Sequence, residues 1–243
     1  MCCGNRMKSN FVIVIPSYNA GFSIEESISK ILMQAPSAKI IIVDDNSPDG
    51  TGSLVSKLSK EDKRVTLLKR GSKAGRGSAV IAGFREGLKN EKNIYFLEMD
   101  ADLCHDPKYI PSLVKNAQDA DVVIASRYLP ESKIFGWTLK RKLMSYAMNH
   151  FAKFFLRVPI RDYTDGYRCY SRRAVELIVN HEFKSKGYVV LSEIVHLCYK
   201  QNMVFAEIPI EFHFNLDGKS NLNIGEVKEA LKTIIRLSLS SEK

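Results

Sequence analysis

The chain has 243 residues, of which 45% are hydrophobic, and a formal net charge of +9 from 36 basic and 27 acidic residues. This length and composition predict one α/β domain with a sizeable core and exclude a chain that is disordered throughout. No run approaches the roughly 20 apolar residues of a membrane-spanning helix. The positive charge favours an anionic partner, such as a nucleotide, a lipid phosphate, a membrane surface or a nucleic acid.

The cysteines and the polar start of the chain indicate its setting. Five scattered cysteines argue against a disulfide framework and favour a reducing compartment. The short polar segment before Phe11 does not resemble a signal peptide. It is predicted to be a disordered tail over residues 1–10, which includes Cys2 and Cys3. Because no repeat or linker is evident, residues 1–243 are predicted to form one domain.

Apolar runs alternate with helical spacings along the first half of the chain. Strands are predicted at 11–15, 40–43, 65–68, 94–99 and 122–125. Helices are predicted between them, at 24–32, 54–58, 77–88 and 109–117. Ser23 and Glu26 have the spacing of a capping box at the start of the first helix. This alternation predicts a mostly parallel sheet flanked by helices, in which ligands bind beyond the carboxyl ends of the strands.

The second half of the chain begins with a long amphipathic helix, predicted over 139–156. Its start is basic, at Lys140, Arg141 and Lys142, and it is rich in phenylalanine and tyrosine. Such a helix is compatible either with burial in the core or with a position on a membrane surface. A late strand is predicted at 204–210 and a final helix at 225–239.

Two acidic clusters follow predicted strands. In Met99-Asp100-Ala101-Asp102, two carboxylates on an extended segment are expected to point to the same face, where they repel unless a cation lies between them. Mg²⁺ or Mn²⁺ suits such oxygen ligands and also binds phosphates. An ordinary acidic turn is the alternative, but a second cluster, at 44–49, favours a metal–nucleotide site.

Residues after the first two strands are candidate nucleotide contacts. Pro16 ends the first strand, and the ring of Tyr18 is suited to stacking on a nucleotide base. Asp44 or Asp45 is suited to accepting hydrogen bonds from a base or a ribose. Asp49 is either a further substrate contact or part of a turn that caps the next helix.

Basic residues near the strand ends are candidate phosphate ligands. Lys73 lies in a glycine-punctuated loop at 73–77 that matches neither the P-loop nor the Rossmann fingerprint, so the glycines equally suit a plain tight loop. Arg127 and Arg141 offer forked donors to anionic oxygens, although each is also compatible with a solvated surface charge. The polar segment 162–168 suggests a functional loop. The histidines have no zinc spacing and are predicted to be structural or solvated.

The ordered set of motifs resembles the inverting glycosyltransferases of family 2, which have the GT-A fold, and most of all their dolichyl-phosphate mannosyltransferase branch. The resemblance runs from about Phe11 to Glu229. The segments that carry it are Ile15–Asn19, Val43–Thr51, Met99–Leu103, Ser126–Tyr128, Gly136–Lys142 with Ser145, Asp162–Thr164, Gly166–Arg168 and Ser185–Tyr188.

The resemblance implies transfer of a hexose, most of all mannose from GDP-mannose, to dolichyl or another polyprenyl phosphate. It places the nucleotide at residues near the first two strands, and Mg²⁺ or Mn²⁺ with the diphosphate at Asp100 and Asp102. It assigns the acceptor phosphate to Arg127, Arg141 and Ser145. The nucleotide contacts that it implies are Pro16, Tyr18, Asp44 and Asp45.

Further site residues complete this hypothesis. Asp162 is a candidate general base, and Asp49, Lys73 and Arg168 are candidate substrate contacts. Lys219 substitutes for two basic residues of the family pattern, which are Asn215 and Asn221 here. Ala20 and Cys104 are two other departures, the first from a glutamate and the second from a metal-contacting Gln or Ser.

The resemblance also implies a peripheral location on the cytoplasmic face of a membrane, the endoplasmic reticulum or the bacterial plasma membrane. Small membrane subunits are expected as anchoring partners. Two alternatives stay open: a family 2 transferase acting on a glycan or glycolipid hydroxyl, and a catalytically silent subunit that binds a nucleotide-sugar. A nucleic-acid partner is not expected, because the two acidic clusters would repel a phosphate backbone.

Overall fold

The computed structural model describes residues 10–185, 187–214 and 224–239. Residues 1–9 of the predicted tail lie outside the described residues, as do Asn215, Lys219 and Asn221.

The described residues form strands and helices in close alternation. The strands are β1 (Phe11–Ser17), β2 (Lys39–Asp44), β3 (Val65–Lys69), β4 (Tyr95–Glu98), β5 (Val122–Ser126), β6 (Lys133–Phe135), β7 (Arg168–Ser171), β8 (Phe205–Pro209) and β9 (Glu211–His213). The helices are α1 (Ile24–Gln34), α2 (Thr51–Glu61), α3 (Arg76–Leu88), α4 (Ile110–Asn116), α5 (Leu139–Leu156), α6 (Arg172–Asn180), α7 (Val190–Lys200) and α8 (Ile224–Leu239). Short 3₁₀ turns lie at Pro107–Tyr109 and Gly187–Val189.

The central sheet has seven strands in the order β3-β2-β1-β4-β7-β5-β8. Only β7 runs antiparallel to its neighbours β4 and β5 among the described pairings, so the predicted mostly parallel sheet is confirmed. The strand order reverses between β1 and β4. In open α/β sheets such a reversal opens a crevice at the carboxyl ends of the strands, which is where ligands bind.

The core lies on both faces of this sheet because successive side chains point to opposite sides. Ile13 and Ile15 pack with α1 and α4 on one face, while Val12 and Val14 pack with α3, α6 and α7 on the other. Helix α3 approaches the sheet closely at Gly83, where a Cβ atom would overlap the Val14 side chain. Helices therefore pack against both faces of the central sheet.

Several elements were not predicted. Strand β7 is only four residues long and follows the polar segment 162–167, so it carries no apolar run that would reveal it. Helices α6 and α7 and the small parallel sheet of β6 and β9 were also missed.

The predicted capping box is wrong. Ser23 precedes α1, but its side chain accepts no hydrogen bond from the helix. Its hydroxyl instead donates to the Ala101 carbonyl, with Oγ and O 2.7 Å apart. Buried Ser23 thus ties the start of α1 to the acidic segment that follows β4.

Candidate active site

A cavity of about 210 Å³ lies at the carboxyl end of β4, on the side of α5 and α8. Its polar wall comes from the segments after β4 and β5, from the loop before β7 and from the start of α5. Apolar lining residues come from α5 and α8, and Glu229 of α8 lines the cavity as well. The polar lining residues include Asp100, Asp102, His105, Arg127, Arg141, Ser145, Thr164 and Asp165. The cavity therefore joins a charged end to an apolar end.

Asp100 and Asp102 both line this cavity, as the sequence predicts. The premise of an extended segment is wrong, because the chain bends at 101–103 and Leu103 has a φ of 64°. Asp102 Oδ1 accepts a hydrogen bond from the Cys104 N–H, with N and O 3.0 Å apart. Both carboxylates reach one space through this bend instead of through strand alternation.

Asp100 already has a cationic partner within the chain. Arg76, the first residue of α3, contacts Asp100 Oδ1 through Nε at 2.9 Å and through Nη2 at 2.8 Å. Burial opposes ionisation of Asp100, but the charge and the hydrogen bond of Arg76 outweigh it and lower the pKa of the carboxyl. The sequence placed Arg76 in a loop that equally suited phosphate binding or a plain tight turn, and it gave no sign of this ion pair.

His105 is a site residue that sequence reasoning missed. Its Nδ1 accepts a hydrogen bond from the Asp100 N–H at 2.9 Å, so the ring proton lies on Nε2, 3.0 Å from Asp165 Oδ1. The buried ring also stacks on Tyr167, with centroids 4.9 Å apart. The only indication in the sequence was its position three residues after Asp102. The histidines were judged by the spacing of zinc ligands, which does not detect a histidine that contacts a backbone N–H and a carboxylate.

Arg127 follows β5 and lines the cavity, but it is bound to acidic residues on its other side. Nε and Nη2 each lie 2.8 Å from an oxygen of Asp162, and Nε lies 3.0 Å from Asp165 Oδ2. Burial opposes the charge on Arg127, but Asp162 and Asp165 outweigh it and raise the pKa of the guanidinium. Arg127 is thus a fixed cation in the polar wall.

The prediction that Asp162 acts as a general base is wrong. Asp162 is fully buried, and its oxygens accept hydrogen bonds from Arg127 and from the N–H groups of Thr164 and Asp165. A carboxylate engaged in this way holds the loop before β7 and has no surface from which to take a proton.

Arg141, at the third position of α5, faces the cavity in a different manner. Its guanidinium lies 4.8 Å from the ring centroid of Trp137 and 4.0 Å from that of Phe214. The carboxylate of Asp102, across the same cavity, favours its charged form. Burial and the nearby charge of Arg127 lower the pKa of Arg141. A cation held on aromatic rings at the wall of a cavity is suited to an anionic ligand.

Two more donors stand beside Arg141. The Trp137 side chain lines the cavity, and its buried Nε1 has no hydrogen-bond partner in the described part of the chain. Ser145 lies one turn further along α5 and its hydroxyl is 2.7 Å from the hydroxyl of Tyr128. The structure thus brings Arg127, Arg141 and Ser145 to one cavity.

The predicted nucleotide contacts lie on neighbouring strand ends, outside the lining of this cavity. Tyr18 follows β1 and is 42% exposed, and Lys73 Nζ lies 4.1 Å from its ring centroid. Asp45 accepts a hydrogen bond from the Ala74 N–H at 3.1 Å and forms an ion pair with Arg70. Asp44 is buried and accepts hydrogen bonds from Ser47. Their contact with a nucleotide stays a prediction.

Two other candidates from this region are engaged in the fold. Asp49 accepts hydrogen bonds from the N–H groups of Gly21 and Thr51, at 2.9 and 3.0 Å, which favours the capping alternative. Its pKa is lowered because these hydrogen bonds outweigh its desolvation. Pro16 lies within β1, beside Val43 of β2.

The prediction that Arg168 contacts substrate is wrong. Arg168 begins β7 and is fully buried. Its guanidinium donates to the backbone carbonyls of Leu191 and Tyr163, each at 3.0 Å. It joins β7 to α7 and to the preceding loop, and has no surface available to a ligand.

Helix α5 has two distinct faces. Asn149, Ala152 and Leu156 are buried, whereas an apolar stripe on the other face is exposed. The stripe consists of Leu139, Leu143, Tyr146 and Phe154, which are 72, 61, 53 and 74% exposed. Complete burial of this helix in the core, one of the two alternatives, is therefore wrong. In the described ranges, no helix combines the length and the apolar character needed to cross a bilayer.

Comparison with known proteins decides the family, because the sequence profile of "Glycosyl transferase family 2" matches residues 12–178. The chain belongs to glycosyl transferase family 2. This match runs from β1 into α6 and includes Asp100, Asp102 and Asp165, but not Glu229 of α8. The resemblance read from the motifs is therefore confirmed at the level of the family.

Two similar family 2 relatives cover nearly the whole chain. The undecaprenyl-phosphate mannosyltransferase of Micrococcus luteus is 34% identical over 228 residues, which are 94% of this chain and 93% of the relative. The polyprenol monophosphomannose synthase of Mycolicibacterium smegmatis is 35% identical over 223 residues, which are 90% of this chain and 83% of the relative.

Solved structures share the fold. A glucosyl-3-phosphoglycerate synthase from Mycobacterium tuberculosis, in complex with Mn²⁺, UDP and phosphoglyceric acid, has a TM-score of 0.66 and 17% identity, covering 96% of this chain and 78% of its own. The mannosyltransferase PcManGT from Pyrobaculum calidifontis, in complex with GDP-Man and Mn²⁺, has a TM-score of 0.60 and 17% identity, covering 97 and 72%. The expected GT-A fold is thus confirmed.

Proposed function

We propose that this protein transfers mannose, with inversion, from GDP-mannose to the phosphate of a polyprenyl lipid. The observation that carries the proposal is the cavity whose charged end holds Asp100, Asp102 and Arg141 and whose other end is apolar. A lipid phosphate has the same two parts, an anionic head and a hydrocarbon tail. The two relatives with 34 and 35% identity bear names that specify this type of reaction.

The charged end is suited to hold the acceptor phosphate. Arg141 contributes a cation held on aromatic rings, and Trp137 contributes a buried N–H without an acceptor in the described ranges. Arg127 adds a fixed positive charge, and Ser145 adds a hydroxyl on the same wall. Held by these groups, the phosphate would face the donor across the crevice between β1 and β4.

The apolar end is suited to hold the first part of the lipid chain. Met144, Met148 and Ala152 of α5 lie on one side of it, and Val227 and Ile234 of α8 lie on the other. Burying hydrocarbon between two helices stabilises the complex by about 0.8 kcal/mol for each buried CH₂ group. Soluble phosphate acceptors would not gain this contribution.

The residues present fit a divalent cation. Mg²⁺ and Mn²⁺ are commonly held by one or two carboxylates together with substrate phosphates. Asp100 and Asp102 offer two such carboxylates in one cavity, and no group of three or more potential ligands occurs in the described ranges. When bound there, a cation would neutralise charge on the departing nucleoside diphosphate. The use of either Mg²⁺ or Mn²⁺ at this site stays a prediction.

Asp162 is held by hydrogen bonds and by its ion pair with Arg127, so it is not free to act as a base. This agrees with a phosphate acceptor. A phosphate monoester, with a second pKa of about 6, is largely a dianion near pH 7 and needs no strong base to attack. One of its oxygens forms a bond to the anomeric carbon while the bond to the diphosphate breaks and the electron pair leaves with the nucleotide. Attack from the face opposite the leaving group inverts the configuration.

The exposed stripe of α5 supports contact with a membrane. Leu143 and Phe154 on this stripe, beside the exposed Lys140 and Lys142, combine apolar and basic groups as interfacial helices do. The same helix lines the cavity, so a lipid could pass from the bilayer directly into the apolar end. Attachment to small membrane subunits and the cytoplasmic side of the membrane stay predictions.

The proposal is tested with a panel of acceptors. Purified protein is incubated with GDP-mannose, Mg²⁺ or Mn²⁺ and vesicles that contain a polyprenyl phosphate, a polyprenol or a glycolipid with free hydroxyl groups, and the extracted lipids are analysed by mass spectrometry. We expect one added hexose on the polyprenyl phosphate alone. Transfer to the glycolipid instead would identify a hydroxyl acceptor. Nucleotide binding with no transfer to any acceptor would identify a catalytically silent subunit.

A further inference from the structure

The ion pair between Arg76 and Asp100 has a consequence for the metal site. Asp100 Oδ1 receives both Nε and Nη2 of Arg76, at 2.9 and 2.8 Å. The Arg76 side chain is 11% exposed and that of Asp100 is 28% exposed, so solvent screens this pair only in part. One of the two carboxylates assigned to the divalent cation is thus already neutralised by the protein itself.

The guanidinium lies in a place that the surrounding chain is built to hold. Gly166 leaves room for it, since a Cβ atom there would overlap Arg76 Nη2, and the Gly166 carbonyl accepts a hydrogen bond from Nη2 at 3.3 Å. On the other side, Nη1 lies 3.8 Å from Oε1 of the fully buried Glu98. Arg76 therefore holds β4, the acidic segment and the loop before β7 together.

A divalent cation at Asp100 would lie close to this guanidinium. Two like charges at such a distance in a partly buried site repel strongly, so the guanidinium on Oδ1 weakens the binding of a cation to the same carboxylate, Oδ2 included. Arg76 is anchored by Gly166 and Glu98 as well, and these contacts oppose its displacement.

We infer that Arg76 acts as an internal counter-cation that sets the metal affinity of this site by neutralising Asp100. The inference rests on the proposed function, because it takes Asp100 and Asp102 to be the metal ligands. Without metal, Arg76 keeps the acidic segment in place. With metal, its charge repels the cation, and the apparent affinity is lower than that of two free carboxylates.

Binding of Mn²⁺ tests this inference without reference to activity. The purified wild-type protein, Arg76→Gln and Arg85→Gln are titrated with Mn²⁺, alone and with GDP, and free Mn²⁺ is measured by electron paramagnetic resonance. Arg85 lies on the same helix but donates to the Val179 carbonyl at 2.9 Å, away from the cavity lining, so it is a matched control. We expect Arg76→Gln to bind Mn²⁺ about tenfold more tightly, as for loss of one charged contact, and Arg85→Gln to match the wild type.

Thermal unfolding supplies a second measurement. We expect Arg76→Gln to unfold at a lower temperature than the wild type without metal and to recover a larger share of its stability when Mn²⁺ is added. Arg76→Lys keeps the charge but offers a single point contact, so its Mn²⁺ affinity should lie between the other two, even if Arg76→Gln fails to fold.

The possible failures are distinguishable. Equal Mn²⁺ affinity of the wild type and both Arg76 variants would overturn the inference and leave the metal site standing. Mn²⁺ bound by none of the proteins, with or without GDP, would overturn the inference and the proposed metal site together. Mannose transfer to polyprenyl phosphate, measured separately, would still decide the reaction itself.

Discussion

Arg127 and Asp162 form a two-pronged ion pair. Nε and Nη2 of Arg127 each lie 2.8 Å from a different oxygen of Asp162. Arg127 follows β5 and Asp162 precedes β7, its neighbour in the sheet. The pair therefore fixes the loop that carries Asp165 into the wall of the cavity, while one edge of the arginine still faces that cavity.

Asp162→Asn should destabilise the protein substantially. The substitution leaves Arg127 buried with only Asp165 as a charged partner, and breaking one half of a buried ion pair costs about 3 kcal/mol. Urea unfolding at pH 7 measures the loss. Glu176→Gln is the control, because its ion pair with Arg172 lies on the surface and should contribute about 0.5 kcal/mol. A loss no larger than that of the control would show that the pair is not important for the fold.

The early strands and the central acidic cluster could be predicted from the sequence because their signals are local. The run from Phe11 to Ile15 is apolar on both faces, and Asp100 and Asp102 follow another such run at once. The apolar and basic pattern of α5 predicted a helix over 139–156, and the structure confirms these bounds, Leu139–Leu156.

The functions of Arg168, Asp162 and Arg76 could not be predicted in this way, because they depend on contacts between distant segments. Strand β7 enters the sheet between β4 and β5, which buries Arg168 against Leu191 of α7. Arg76 and Asp100 are separated by 24 residues, and Arg127 and Asp162 by 35. A charge near a strand end therefore predicts a site, but only the fold decides whether that charge faces a ligand or another residue.

Asp165→Asn should have a pH-dependent effect on stability. Burial opposes ionisation of Asp165, but Arg127 and His105 outweigh it and hold its pKa below the ordinary value. The stabilisation is complete above the unfolded-state pKa of about 3.9 and is lost as the pH falls through the lower folded-state pKa. Urea unfolding at pH 7, 5 and 3 should show a gap between wild type and variant that narrows at pH 3. A constant gap would contradict this assignment.

Arg141→Gln should impair use of the lipid acceptor more than use of the donor. Its guanidinium faces the cavity on Trp137 and Phe214, so its loss should raise the KM for polyprenyl phosphate by about tenfold or more while changing the KM for GDP-mannose little. Lys57→Gln, with an exposed side chain on α2, is the control. Equal effects on both substrates would argue against acceptor binding by Arg141.

Charge placed on the apolar stripe of α5 should weaken membrane binding. Leu143→Glu combined with Phe154→Glu removes two exposed apolar groups from one face, and sedimentation with vesicles of anionic lipid should show less bound protein. Met33→Glu on α1, where the side chain is 66% exposed, is a matched control that should bind as the wild type does. Unchanged binding of the double variant would place the membrane contact elsewhere.

The central claim is tested most directly by mass spectrometry of intact lipid after incubation of polyprenyl phosphate with GDP-mannose and Mn²⁺, comparing the wild type with Asp102→Asn. Asp102 lines the cavity, so the variant should fold normally, as judged by circular dichroism. The account predicts mannosyl-phosphate lipid with the wild type and at least a hundredfold less with the variant, as for a lost electrostatic contact to a departing group. Equal product from the two proteins would contradict the assignment of Asp102 and of the metal site.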